Sequence, residues 1–504
     1  MPPFVYARIA RRKADTHVRF DPAALARLTH VPEPVIGLEI HLAVKARSKM
    51  FCACDADGFG SDPNTNVCPV CMGLPGSLPV ANREAIALGL RFARALGCEV
   101  PERTQFHRKH YFYPDAPKNY QISQFERPIG EHGAVPIPGG RTIGITRVHL
   151  EEDAGRLVHP TYADHSLLDL NRAGAPLIEM VTEPDLRTPE EARAFLQEVR
   201  AIARALGVSD ASPEEGKMRA DVNVSLRNPD GSFGTKVEVK NLNSFRSVEA
   251  ALAFEIRRQE RVLEDGFEVV QETRGWNEGG QKTVSQRSKE EAADYRYMPD
   301  PDIPAITIHD DQIAAIDAAM PELPAAKRAR YAALEVHEDA ASQIAYDVHT
   351  AGVFDAVTSA WNGPAQIVAN WLLSEVAGHL HQDGRTLEEA IPDPDAFAPR
   401  LANLLDLVQD RTISSTVAKE LLPEVIDGAQ ASELVESRGL ARVADEGALG
   451  TVIDAVMAAH PDVVESAREQ PKAINALLGR VMKETGGTAD ASVVRNLIEQ
   501  RLQA

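Results

Sequence analysis

Residues 35–44, Val-Ile-Gly-Leu-Glu-Ile-His-Leu-Ala-Val, separate on a period of two: Ile36, Leu38, Ile40 and Leu42 share one face, while Gly37, Glu39 and His41 share the other. The pattern describes a half-buried strand whose open face carries a carboxylate and an imidazole one pleat apart. A strand buried on both sides would not tolerate that pair. Taken alone, the pair reads equally well as a surface Glu and His, but the same division of labour recurs. In Met218–Arg227 the apolar Met218, Ala220, Val222, Val224 and Leu226 oppose Arg219, Asp221, Asn223, Ser225 and Arg227. In Lys236–Lys240, Val237 and Val239 oppose Lys236, Glu238 and Lys240. In Ala175–Glu183, Glu179 and Glu183 share their face with Leu177 and Val181, so this strand reads as buried on both sides. Segment 142–153 ends a strand in Glu151-Glu152-Asp153. An antiparallel sheet with one packed and one wet face would gather Glu39, His41, Glu152, Glu179, Asp221, Lys236, Glu238 and several arginines on the wet side. Carboxylates there would hold Mg²⁺, and Arg and Lys would clamp polyphosphate oxygens.

A second cluster is cysteine. Cys52 and Cys54 form a C-x-C and Cys68 and Cys71 a C-x-x-C, leaving only Cys98 elsewhere. Four thiolates at this spacing can close a tetrahedron on Zn²⁺, and with every position filled by sulfur the ion would brace a loop rather than catalyse. Disulfides and free thiols are the alternatives.

The elements that must position these groups follow from the rest of the chain. Its 504 residues, 44% of them hydrophobic, supply ample core and suggest about three domains. Strand-like segments dominate to about residue 310, interrupted by helices at roughly 83–96, 189–206 and 245–263; Thr188-Pro189-Glu190-Glu191 reads as a capping box with Pro at the first helical position. Beyond about residue 320 the pattern turns helical. In Lys472–Thr485 an apolar side of Ile474, Leu477, Leu478, Val481 and Met482 lies opposite Lys472, Arg480 and Lys483, a basic face of the kind that touches phosphate backbones. Residues 1–30 read as a loosely attached, Arg-rich extension. The net charge of −20, from 74 acidic and 54 basic residues, weighs against a surface coated in nucleic acid but leaves room for a local basic patch. No apolar run is long enough for a bilayer, and no secretory pattern is present, which points to the cytoplasm. There is no G-x-x-x-x-G-K-[ST] loop, no dinucleotide fingerprint and no Gly/Ser-rich amidase nucleophile segment, so the chain looks unable to release ammonia from glutamine alone.

Several stretches together resemble the GatB/GatE family, the B subunits of bacterial aspartyl/glutamyl-tRNA(Asn/Gln) amidotransferases. They are VIGLEIH at 35–41, CPVCMGLPGSLP at 68–79, RKHYFYPDAPKNYQISQF at 108–125, HLEEDAG at 149–155, DLNRAGAPLIEMVTE at 169–183, DVNVSL at 221–226, GTKVEVKNLNSF at 234–245 and DYRYMP at 294–299. The resemblance implies an α+β chain: a largely antiparallel catalytic cradle similar to glutamine synthetase over 31–315, carrying the zinc loop 52–71, then an all-α domain over 316–400 and a small YqeY-like tRNA-binding tail over 401–504. It implies that ATP phosphorylates the side-chain carboxylate of Glu or Asp on a misacylated tRNA and that ammonia from a partner amidase displaces phosphate. Site residues carried over by position are His41, Glu152 and Glu179 for Mg²⁺, with Mn²⁺ as an alternative because an imidazole is an unusual Mg²⁺ ligand, and Glu39 beside them. Lys109, Lys236 and Arg219 are candidates for phosphate contacts, Asp221 and Glu238 for a second metal position, and Tyr111, Tyr113 and Tyr120 for stacking on a base. Implied partners are an amidase (glutaminase) and a small third protein of the same complex, the misacylated tRNA and, through it, a non-discriminating aminoacyl-tRNA synthetase; no membrane is implied. Ala43 and His110 depart from the family's usual Glu and Asn. The competing readings are a glutamine-synthetase-type ligase on a small carboxylate and a zinc-braced, non-catalytic RNA scaffold.

Overall fold

The structure is a computed structural model and describes residues 32–503 other than 59, 161–163, 289–294, 443–445, 470–472, 486–488 and 490. The expected extension over 1–30 lies outside the described residues. The chain divides into two units, 1–327 and 328–504.

The first unit is built on strands β1 (Pro34–Ala43), β2 (Arg103–Thr104), β3 (His107–His110), β4 (Tyr120–Ser123), β5 (Gly130–Pro136), β6 (Thr142–Glu152), β7 (Arg156–Val158) and β8 (Leu167–Asp169). They are followed by β9 (Pro176–Thr182), β10 (Met218–Leu226), β11 (Val237–Lys240), β12 (Glu272–Asn277), β13 (Lys282–Ser288), β14 (Met298–Pro299) and β15 (Ile306–Thr307). Eight of them form one sheet in the order β13-β12-β11-β10-β1-β9-β6-β5, antiparallel except for the β11–β12 pair. A smaller sheet runs β14-β3-β4.

The period-two reading of β1 holds residue by residue. Ile36, Leu38, Ile40 and Leu42 are buried in the core that also receives helices Arg83–Ala95, Pro189–Ala205 and Phe245–Glu264, through Phe92, Phe195, Leu196, Val248 and Leu252. Strand β9 is buried along both faces, as its mixed pattern suggests. The helix at 189 begins with Thr188 Oγ1 accepting from Glu191 N at 3.1 Å and with Pro189 in its first turn. The other half of the expected capping box differs: the Glu191 carboxylate accepts from Arg187 N at 2.7 Å and pairs with Arg141.

Strand β6 departs from simple alternation. Ile143 and Ile145 are buried in the core, but the β6–β9 register slips between Ile145 and Arg147, so Val148 and Leu150 take over the core side. A bulge inserts one extra residue and reverses the parity of everything downstream. His149 and Glu151 therefore share the face of Glu179, and Glu152 points the other way. Segment 295–302 pairs through β14 with β3.

Among the described residues, the second unit is helical and has two cores. One gathers residues from Tyr331 to Val435, including Phe354, Trp361 and Phe397, and the other runs from Leu449 to Ile498. The boundary expected at 400/401 falls inside helix Pro394–Gln409, whose Phe397, Leu401 and Leu405 belong to the first of these cores.

Truncating a core residue of β1 should show which face is packed. Leu38→Ala is expected to destabilise the sheet unit by about 2–5 kcal/mol. Glu39→Gln, on the open face, should cost less than about 1 kcal/mol. Denaturant unfolding followed at the three Trp residues of the chain and by far-UV circular dichroism checks the contrast.

Candidate functional site

The sheet registers bring two carboxylates and two imidazoles onto one spot of the open face. His41 of β1 lies opposite Glu179 of β9, which in turn lies opposite His149 of β6. His41 Nε2 is 3.4 Å from Glu179 Oε2 and 3.6 Å from Glu151 Oε1; His149 Nε2 is 3.2 Å from the same Glu179 oxygen and 3.8 Å from Glu151 Oε2. Glu151, Glu179 and His149 are nearly inaccessible, at 2%, 7% and 2% exposure. Burial alone would push both carboxyl groups up, but His149 and His41 hold Glu179 well below the usual carboxylate range, and His149, His41 and Lys109 hold Glu151 below it. Burial alone would also push His149 down; the two carboxylates instead raise it to about 9.

Ligand atoms of His41, Glu151 and Glu179 all lie within 4.8 Å of one another. Atoms about 2.0–2.6 Å from a common divalent ion are separated by at most about 4–5 Å, so the three fit one cation without rearrangement of the backbone.

This corrects one expected ligand. Glu152 is not in the cluster, because the bulge in β6 turns its side chain away. Its carboxylate pairs with Lys118 Nζ at 2.6 Å and accepts from Ile122 N at 2.9 Å, in a cleft it shares with Cys52, Cys71 and Tyr120. Counting alternation from Ile143 and Ile145 without the bulge selects Glu152; counting back from the paired residues Glu179 and His149 selects Glu151.

The remaining expected residues form a ladder on the same face. Glu39 accepts from Asn223 Nδ2 at 3.0 Å, Lys240 Nζ lies 2.5 Å from Asp221 Oδ2 and 3.1 Å from Glu238 Oε1, and Thr273 Oγ1 donates to Glu238 at 2.8 Å. Asp221 and Glu238 are thus held by a lysine, and that lysine is Lys240. The expected Lys236 is exposed and precedes β11. Arg219, opposite His41, reaches Asp153 Oδ1 at 3.3 Å, and Arg172 takes the other oxygen at 3.1 Å. One carboxylate therefore holds two guanidiniums, leaving a local excess of positive charge. Lys109 faces the cluster from β3. Burial would lower its pKa, but the nearby Glu151 and Glu179 raise it.

The four cysteines also converge, with their Sγ atoms within 4.8 Å of one another and those of Cys68 and Cys71 3.8 Å apart. A tetrahedron with metal–sulfur bonds of about 2.3 Å has edges of about 3.8 Å, so the set could hold a metal ion. Lys49, fully buried, places Nζ 3.6 Å from Cys71 Sγ. Hydrogen bonding from Cys52 and the Lys49 charge help pull the Cys71 thiol down to about 4. The loop is stitched to the chain ahead of β9: Asn66 N donates to Asn171 Oδ1 at 2.8 Å, and Asn171 Nδ2 donates to Asp62 O at 2.7 Å.

Of the stacking candidates, Tyr120 is engaged already, with Arg108 4.4 Å from its ring centroid, while Tyr111 donates its hydroxyl to Asp115 at 2.7 Å. In the tail, helix Ile474–Glu484 buries Ile474, Leu477 and Val481, and Arg480 contacts His460 at 3.2 Å; Lys483 lies in the last turn. Lys472 lies outside the described residues.

Two family profiles match the chain: the GatB/GatE catalytic domain over residues 34–314 and the GatB domain over 352–502. Among curated proteins, the chain is similar to the B subunit of the aspartyl/glutamyl-tRNA(Asn/Gln) amidotransferase of Thermus thermophilus, at 53% identity over 471 residues, 93% of this chain and 99% of that protein. The protein of the same name from Deinococcus radiodurans is 51% identical over 478 residues, 93% of this chain and 99% of the relative. That from Brevibacillus brevis is 45% identical over 480 residues, 94% of this chain and 99% of the relative.

The two neighbouring glutamates should separate in a metal-binding assay. With Mn²⁺ as an electron-paramagnetic probe, Glu151→Ala is expected to weaken binding by more than the roughly 10–100-fold that loss of an outer-shell partner costs. Glu152→Ala should stay within that range. Equal losses, or the reverse order, would remove Glu151 from the site.

Proposed function

The chain belongs to the GatB/GatE family, and from that premise we propose that it is the component in which an ATP-dependent tRNA amidotransferase turns the side-chain carboxylate of glutamate or aspartate, esterified to the wrong tRNA, into an amide. The observation that carries this reading is the convergence of His41, Glu151 and Glu179 on the open sheet face, with Lys109 and Arg219 beside them.

A carboxylate resists ammonia because it has no adequate leaving group. Attack of one carboxylate oxygen on the γ-phosphorus of ATP releases ADP and forms an acyl phosphate. Nitrogen then attacks the carbonyl carbon, the bond from that carbon to the phosphate-bearing oxygen breaks, phosphate departs, and the nitrogen loses a proton. Mg²⁺ or Mn²⁺, when bound by His41, Glu151 and Glu179, supplies charge neutralisation for the polyphosphate. Lys109 is assigned to the transferring phosphoryl group, where a fixed cation is worth most as charge shifts between oxygens. Arg219 and Arg172, oriented by Asp153, are assigned to the outer phosphates. Lys240 holds Asp221 and Glu238 in a fixed polar wall for the nucleotide.

The nitrogen is assigned to a partner. The sequence holds no amidase nucleophile segment, and the relatives are named as one component of a heteromeric amidotransferase. That name implies companion chains, which we take to be a glutaminase-type amidase and a small third protein. The four thiols are assigned to structural Zn²⁺. We read residues 31–315 as a cradle similar to glutamine synthetase and the final helical core, with Arg480 and Lys483, as a tRNA contact. No helix among the described residues is long and apolar enough to cross a membrane, and we place the protein in the cytoplasm with its charged tRNA. A small-carboxylate ligase is disfavoured, because likeness to the tRNA-acting relatives continues through the helical region at 352–502.

The test is amide formation on misacylated Glu-tRNA(Gln) or Asp-tRNA(Asn) with ATP and ammonium. The wild-type chain should form Gln-tRNA or Asn-tRNA and release ADP stoichiometrically, and Glu151→Ala should reduce turnover at least about 100-fold, in line with loss of a charge-stabilising group. Amidation of free glutamate at comparable kcat/KM would contradict the reading. Elemental analysis should find one zinc per chain, lost in Cys68→Ser; a metal-free chain with full activity would remove the zinc assignment.

A further inference from the structure

The small sheet β14-β3-β4 and its flanking segments carry aromatic rings that the phosphoryl chemistry does not use. Tyr113 and Phe112 follow β3, Phe125 follows β4, and Tyr295 precedes β14. Their exposures are 51%, 68%, 42% and 37%, high for aromatic side chains clustered beside a buried acid site. The rings fall into two stacked groups, held side by side on the small sheet. Phe125 stacks on Tyr297 at 4.2 Å and 9°, Tyr297 meets Tyr295 edge-on at 6.2 Å, and Tyr111 and Tyr113 stack at 6.2 Å. Backbone bonds lock the segments together: His110 N donates to Tyr295 O at 2.9 Å, and β14 pairs with β3.

Cations are interleaved with these rings. Lys109 Nζ lies 5.1 Å from the Tyr295 centroid, the Arg147 guanidinium 5.9 Å from that of Phe125, and the Arg296 guanidinium 5.7 Å from that of Phe112. Lys109 also faces Glu151 and Glu179, so the inner end of the patch adjoins the acid cluster. Positive charge concentrated here stands against a chain of net charge −20. Exposed rings with basic side chains between them suit unpaired nucleotides, whose bases stack while their phosphates meet the cations.

We propose that Phe112, Tyr113, Phe125 and Tyr295, with Lys109 and Arg147 between them and the acid cluster, form a stacking platform for the unpaired 3′ end of the charged RNA. This rests on the function proposed above and adds the surface that delivers the ester to it. A base that stacks on the patch holds the attached aminoacyl group at the mouth of the site, so its side-chain carboxylate enters while the ribose stays outside. Tyr120, whose ring is covered by Arg108, takes no part.

The test uses the assembled enzyme and misacylated tRNA carrying 2-aminopurine in place of the terminal adenine. Wild type should quench the fluorophore on binding, and Phe125→Leu and Tyr113→Ala should abolish the quench. In amidation, each of these variants should raise KM for Glu-tRNA by about tenfold or more, with KM for ATP within twofold of wild type in the same assay, and Phe125→Tyr should restore the value. A rise confined to KM for ATP would make the nucleotide the occupant and overturn the proposal. Loss of copurifying partner chains with an unchanged quench would overturn it in favour of a protein interface. A quench that survives both substitutions would also overturn it. Because quenching needs no turnover, a wild-type enzyme that quenches without amidating would support the platform and count only against the reaction.

Discussion

Two buried carboxylates within reach of one imidazole are the constraint on which the rest of the catalytic unit turns. Glu151 and Glu179 are withdrawn from water and share His41 and His149 as neighbours. An uncompensated carboxylate in such a place costs several kcal/mol even after relaxation. The two imidazoles supply compensation in the protein alone, and the opposed charges keep both carboxylates ionised. Ionised carboxylates facing one point are what a hard divalent cation needs, and the same groups prepare a polyphosphate site when that cation is bound.

Holding those groups together is a problem of strand register. Three neighbouring strands contribute one residue each to a single row, His41, Glu179 and His149, so a one-residue slip of any strand would send its contribution to the core side. The bulge in β6 resolves a conflict in that strand: Ile143 and Ile145 must face the core at one end, and His149 and Glu151 must face the site at the other. The cysteine loop then fixes the chain beside the displaced Glu152. Asn66 and Asn171 tie it to the segment entering β9, and Gly174, at φ +84°, lets that segment pass close to Cys71 and Lys49. The site is thereby clamped from its rim as well as from the sheet.

Much of this was legible in the sequence because it depends on alternation. The strands at 34–43, 176–182, 218–226 and 237–240, the three long helices of the first unit and the cysteine cluster all follow from local pattern. So does the placement of His41 and Glu179. What alternation cannot register is an inserted residue, and that is why Glu152 stood in for Glu151. Nor can it choose among cations of equal parity: Lys236 and Lys240 are four residues apart, but β11 begins only at Val237, and Lys240 is the one that meets Asp221. Of the aromatic residues, Tyr111 and Tyr113 were in view as stacking candidates, and Phe125, Tyr295 and Tyr297 were hidden for a different reason. The rings come from segments about 170 residues apart in sequence, brought together by the pairing of β14 with β3. The 400/401 boundary, carried over with the resemblance, falls inside helix Pro394–Gln409, which runs on past Pro399.

The central claim is that the substrate carboxylate is activated by direct phosphorylation. It is tested most directly by charging tRNA with glutamate labelled with ¹⁸O in the side-chain carboxylate and amidating it in unlabelled water. The account predicts one ¹⁸O atom in each inorganic phosphate released, with label retained in the amide carbonyl. Phosphate free of ¹⁸O, with amide formed at the normal rate, would contradict it.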